Sequence, residues 1–145
     1  MSESPHTSDL AIVGHGIDLC EAHRMLELLE RHGTRALERL FTAEEQAYAA
    51  PAGEPNGERL AARFAAKEAI LKALGTGLRG GILWTDVEVV RDANGRPGVR
   101  LAGEAAVVAE RLGIVAWHLS LSHAAGMAMA SVIACGWRPC PDSMR

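Results

Sequence analysis

Aromatic side chains are scarce in this sequence. Two Phe, one Tyr and three Trp make up 4% of its 145 residues, so Ala, Leu, Val and Ile must fill any core. Cysteines are few as well: Cys20, Cys135 and Cys140, with no Cys-x-x-Cys pair. An odd number without regular spacing offers neither a disulfide framework nor a zinc pattern, and suits a reducing, cytoplasmic setting. No stretch approaches the ~18 apolar residues of a membrane helix. The first nine residues have no basic region followed by an apolar one, so no secretion signal is expected there. Charge is balanced too. Fifteen basic and eighteen acidic residues leave a net −3, so neither nucleic acid nor an anionic membrane is an expected partner.

What remains is an ordinary globular composition, 48% apolar and 23% charged, on a chain of one domain's length. Residues 10–135 are expected to form that domain. They are flanked by a flexible stretch at 1–9 and a tail at 136–145 that carries two prolines.

The pattern mixes helices with strands that pair locally, which predicts an α+β fold with an antiparallel sheet packed against a long helix. Residues 10–17 read as a short strand interrupted by two glycines, and 19–31 as a helix stopped at Gly33. A short helical piece follows at 34–41. Thr42 and Glu45 then form a capping box for a helix to about Ala49. Residues 51–57 are a loop by composition. The strongest helix is 58–74, stopped by Gly75 and followed by a glycine-rich loop to Gly81. Residues 82–91 are β-like, and Asp92-Ala-Asn-Gly95 is a hairpin turn leading to a strand near 98–101. A helix at 103–112 and strands at 115–122 and 127–135 complete the pattern. In the first of those strands Trp117, Leu119 and Leu121 share one face, and His118, Ser120 and Ser122 the other.

Four features carry chemistry. Lys67 lies on the same helical stripe as Leu60, Phe64, Leu71 and Leu74. Its ammonium either snorkels to the edge of the core or turns toward a phosphate. Beside it, Glu68 and Lys72 are spaced as an i,i+4 ion pair. Asp18 follows a Gly-x-Gly segment, where it either caps a helix or meets Glu68 across a fold contact. Two carboxylates with open positions beside them are what Mg²⁺ requires. The loop Gly75-Thr76-Gly77 has backbone N–H groups free to approach phosphate oxygens. Finally, Ser122 and His123 are adjacent. Sequence neighbours rarely form a nucleophile and base, and Gly-x-Ser-x-Gly is absent, which argues against a serine hydrolase.

Three segments, in this order, resemble the small 4'-phosphopantetheinyl transferases that act on acyl carrier proteins. They are Gly14-His-Gly-Ile-Asp-Leu-Cys-Glu-Ala-His-Arg24, Arg63-Phe-Ala-Ala-Lys-Glu-Ala-Ile-Leu-Lys-Ala-Leu-Gly-Thr-Gly77, and Leu119-Ser-Leu-Ser-His123 before an Ala-rich strand. Phe41-Thr42-x-x-Glu45 also fits. The middle segment is the most specific of these. The resemblance implies transfer of the phosphopantetheine arm of coenzyme A to a carrier serine. It implies Mg²⁺ held by Asp18 and Glu68, with Lys72 beside them in the catalytic group. Lys67, Lys72, Gly75, Thr76, Gly77 and His123 would face coenzyme A phosphates, and Arg24 would lie near the carrier. A homotrimer with sites between subunits is implied as well.

The sequence departs from the family pattern at His15 and in the Ala-Ala-Gly-Met stretch after His123. On charge alone, Arg24, Arg31 and Arg35 would form a basic ridge for an acidic carrier if their helix ran past Gly33. The alternative reading from another functional class is a non-catalytic trimeric module that binds a nucleotide or a carrier.

Overall fold

The computed structural model describes residues 10–137. The chain runs β1 (Leu10–Glu21), α1 (Ala22–His32), α2 (Thr34–Leu40), α3 (Ala43–Ala49), α4 (Gly57–Leu74), β2 (Val87–Arg91), β3 (Pro97–Leu101), α5 (Gly103–Arg111), β4 (Ile114–Ala124) and β5 (Met127–Trp137). β1, β5 and β4 form a three-stranded antiparallel sheet in that order, and β2 and β3 a separate hairpin. The fold is therefore α+β, with the antiparallel sheet packed against α4.

Helix α4 is the spine. Ala61, Ala65, Ala66, Ala69 and Ile70 are wholly buried along it, and small side chains let the sheet come close. β1 answers with small residues of its own. A Cβ on Gly14 would overlap the carbonyl oxygen of Ala73, and one on Gly16 would overlap that of Ala69. These glycines do not interrupt the strand. They let it lie directly on the helix backbone.

Several expected boundaries move. β1 continues to Glu21 rather than ending at Ile17, so Asp18 is a mid-strand residue and does not cap a helix. α1 starts at Ala22 and stops at Gly33, whose φ of 61° favours glycine. Trp84–Asp86 is a 3₁₀ turn, and β2 begins only at Val87. Gly136 and Trp137, expected in the tail, pair with Ala11 and Leu10 as the end of β5. Residues 1–9 and 138–145, expected as flexible terminus and tail, lie outside the described residues.

The capping box is formed as expected. Thr42 Oγ1 accepts from the Glu45 amide, and Glu45 Oε1 from the Thr42 amide at 2.9 Å. The alternation in β4 also holds: Trp117, Leu119 and Leu121 pack against the core, while His118, Ser120 and Ser122 are exposed.

Candidate active site

The close approach of β1 and α4 brings residues distant in sequence together. Lys72, near the end of α4, donates from Nζ to the Ile17 carbonyl at 2.8 Å and to Asp18 Oδ1 at 3.2 Å. Its side chain is 54% exposed, while that of Asp18 is 18% exposed. Glu68 lies one helical turn before Lys72. Burial, and then the neighbouring Asp18 charge, push the Glu68 carboxyl above the usual range, and Lys72 and Arg24 pull it back down. Asp18, Glu68, Lys72 and Arg24 thus share one electrostatic neighbourhood. Cys20 lies in it too: burial raises its thiol most, Arg24 opposes this, and Asp18 and Glu68 add to it.

A cavity of about 520 Å³ opens beside this cluster, lined by Glu68, Leu71, Lys72, Gly75, Gly77, Leu78 and Trp84. Its lining combines the charged Glu68 and Lys72 with the apolar Leu71, Leu78 and Trp84. Gly75 ends α4 in the left-handed conformation (φ 77°), its N–H bonded to Leu71 and Lys72 carbonyls. Thr76 Oγ1 donates to the Gly77 carbonyl at 3.0 Å. Gly77 also has positive φ and open space where a Cβ would stand, so the loop backbone is accessible from the cavity.

Lys67 is not part of that surface, which corrects both sequence readings of it. Its side chain is 0% exposed. Nζ donates to the Trp84 carbonyl at 2.9 Å and the Val87 carbonyl at 2.6 Å, and lies 2.6 Å from Glu45 Oε1. Burial lowers the pKa of the ammonium, and Glu45 opposes the shift. The residue neither snorkels nor faces a phosphate; it ties α4 to the 3₁₀ turn and to β2. Glu45 Oε2 in turn accepts from the Val89 amide at 3.0 Å.

A second polar cleft, of about 390 Å³, lies toward the N-terminal half of α4. Tyr48, Arg63, Arg91, Arg96 and Ser120 are among its lining residues. The guanidiniums of Arg59, Arg63 and Arg91 stand 4.6, 3.9 and 4.8 Å from the Tyr48 ring centroid. Arg63 is 3% exposed, and its Nε has no hydrogen-bond partner among the described residues. Among the described residues no carboxylate lines the cleft, so its chemistry suits an anion. The sequence reading passed over this group. Its signal in the sequence is the run Arg59, Arg63 and Lys67, spaced four apart on α4.

His123 is not brought to Asp18 within one chain. Its Nδ1 is 3.6 Å from Glu58 Oε2. Glu58 lies ten residues before Glu68 on α4, or ~15 Å along the axis.

Residues 14–130 match the model of the 4'-phosphopantetheinyl transferase superfamily. A holo-acyl-carrier-protein synthase of Streptomyces coelicolor is 51% identical over 129 residues, covering 88% of this chain and 100% of the relative. The chain belongs to the 4'-phosphopantetheinyl transferase superfamily. Among solved structures, the holo-acyl-carrier-protein synthase of Neisseria meningitidis superposes with a TM-score of 0.77 at 35% identity, over 86% of this chain and 98% of that one. That of Helicobacter pylori, solved in complex with coenzyme A, gives 0.71 at 27% identity, over 83% and 98%.

In this transferase, then, Asp18, Glu68, Lys72 and the Gly75–Gly77 loop gather at one end of α4, with Arg24 nearby. Arg24, Arg31 and Arg35 do not form one continuous helical ridge, because Gly33 separates α1 from α2. Arg35 instead borders a groove of about 320 Å³ with Leu28, His32, Ala36, Arg39, Leu40 and Trp84. Arg31, in the last turn of α1, is not among the lining residues. His32 and Arg39, which the sequence reading did not select, join Arg35 at the groove.

Proposed function

We propose that this protein is a holo-acyl-carrier-protein synthase. It moves the 4'-phosphopantetheine arm of coenzyme A to a serine of an apo acyl carrier protein and releases adenosine 3',5'-bisphosphate, a step that serves fatty acid biosynthesis. The observation that carries this reading is the Lys72–Asp18 ion pair beside Glu68, next to a cavity that Lys72, Glu68 and a glycine loop line together. The names of the relatives, and coenzyme A in the Helicobacter pylori structure, support the substrate.

Asp18 and Glu68 suit Mg²⁺. They are hard oxygen donors, the charge of one raises the proton affinity of the other, and no third acidic, Cys or His ligand joins them among the described residues. That leaves coordination positions for water and phosphate oxygens. When bound, the cation supplies charge neutralisation at the pyrophosphate. Lys72 adds a fixed positive charge at the same place, and the Thr76 and Gly77 amides hold phosphate oxygens. The carrier serine Oγ attacks the phosphorus that bears the arm, and the bond to the nucleotide phosphate breaks. The serine proton needs an acceptor. A solvent water beside the carboxylates takes it.

The carrier docks on α1 and α2. Arg24 stands beside the carboxylates, Arg31 is exposed on α1, and His32, Arg35 and Arg39 rim the groove, so an acidic partner is steered to this face. The active assembly is a homotrimer with each site shared between copies. Two observations support it. The outer sheet face exposes Ile17, Leu19 and Met129. His123 lies too far along α4 to meet Asp18 in one chain, and the arginine cleft shares no lining residue with the cavity beside Glu68, so a neighbouring copy supplies them to hold the nucleotide phosphates.

Incubation with coenzyme A, Mg²⁺ and an apo carrier tests the reading. The carrier should gain the mass of one phosphopantetheine arm, with release of adenosine 3',5'-bisphosphate. Nucleotide binding without any mass gain would favour a non-catalytic module.

A further inference from the structure

One side chain borders both the coenzyme cavity and the carrier groove. Trp84 lines the 520 Å³ cavity with Glu68, Leu71, Lys72 and Leu78, and also the 320 Å³ groove with Leu28, His32, Arg35 and Arg39. Its surroundings hold it in place. The ring packs on Phe64 at a centroid distance of 5.1 Å, and its carbonyl accepts from the buried Lys67 ammonium. The 3₁₀ turn that carries it is closed by Asp86 Oδ2, which accepts from the Leu83 amide at 3.0 Å. An indole offers a large flat apolar surface with few rotatable bonds. In a chain with three tryptophans, this one stands half-buried between two cavities instead of filling the core.

We propose that Trp84 is a positioning and specificity residue common to both substrates, its indole forming the wall between the pantetheine arm in the cavity and the carrier segment in the groove. The inference rests on the functional reading above. The charged lining, Lys72 with Glu68, takes phosphate. Leu71, Leu78 and Trp84 then line the path of the arm, which has no charge and whose methyl and methylene groups pack on apolar walls. The carrier brings its serine from the groove side. One rigid wall shared by both cavities fixes the approach of the serine relative to the arm, which is where orientation counts for most of the rate.

With Trp117→Phe and Trp137→Phe, Trp84 becomes the sole indole. Its emission, excited selectively, should change on adding coenzyme A alone and on adding apo carrier alone. Adenosine 3',5'-bisphosphate, which lacks the arm, should leave it unchanged. In the otherwise intact protein, Trp84→Leu should raise KM for coenzyme A and for carrier by about tenfold each, lower kcat by about tenfold as the serine loses its alignment, leave nucleotide affinity within about twofold, and be largely rescued by Trp84→Phe. Equal weakening of nucleotide and coenzyme A, or a KM change for only one substrate, would overturn the inference. Should the leucine variant fail to fold, the emission of the single-tryptophan protein decides: silence toward either substrate overturns the proposal. If wild type transfers no arm to any apo carrier, the functional reading fails instead.

Discussion

At the scale of single residues, two neighbours on α4 have opposite roles. Glu68 is held in a setting that disfavours its charge. A carboxyl with a raised pKa in the folded state costs stability wherever it is ionised there. That cost is absent below the unfolded-state pKa and fully present above the folded one. Glu68→Gln should therefore raise the melting temperature of the unliganded protein at neutral pH, and the gain should shrink as pH falls. Transfer should be lost at every pH. Melting curves of both proteins from acid to neutral pH check this, and a gain that grew toward acid would contradict it. Lys67 behaves in the opposite way. Lys67→Met leaves Glu45 buried without its cation, a change that costs about 3–5 kcal/mol. Adding Glu45→Gln should restore much of that loss, as denaturant titration would show. Loss of activity in the single variant should follow the loss of folded protein.

At the scale of elements, the pairing of β1 with α4 sets the site. Gly16→Ala forces a Cβ into the Ala69 carbonyl, and the strand must move off the helix. Overpacking of this kind costs about 1–3 kcal/mol. It should also separate Asp18 from Glu68 and Lys72, so that Mg²⁺ dependence weakens even in the fraction that stays folded. Calorimetry together with a Mg²⁺ titration of activity measures both effects; an unchanged Mg²⁺ requirement would mean that the glycine serves packing alone. The sequence revealed such elements unevenly. α4, its glycine stop and the Thr42–Glu45 box were legible because local spacing encodes them. The reason for Gly14 and Gly16 was not, because it lies on a helix more than fifty residues away. Lys67 was seen to break an apolar stripe. Its partner Glu45 reads in sequence only as a capping residue, since spacing does not tell where a second carboxylate oxygen points. Of the arginines around Tyr48, Arg59 and Arg63 share α4 at a spacing of four, but Arg91 comes from β2 and Tyr48 from α3, which no local spacing encodes.

At the scale of the whole molecule, the proposed trimer divides the proposed functional groups into two half-sites along α4. One holds Asp18, Glu68, Lys72 and the glycine loop. The other holds Arg63, Arg91 and Arg96 at the cleft, with His123 near Glu58. A closed cyclic assembly joins unlike surfaces of successive copies, so the first half-site of one copy can meet the second half-site of the next. This arrangement is testable by mixing. Lys72→Ala damages the first half-site only, and Arg63→Ala combined with His123→Ala damages the second only. Each variant alone should transfer the arm poorly. Unfolded and refolded together in equal amounts, they should regain about a quarter of wild-type activity, because about one site in four then combines two intact halves. The regain should depend on refolding the two together and should be absent when separately folded samples are simply combined. If a site were built within one chain, co-refolding would recover nothing. The second half-site would then have to serve some anion other than coenzyme A at the Asp18–Glu68 site.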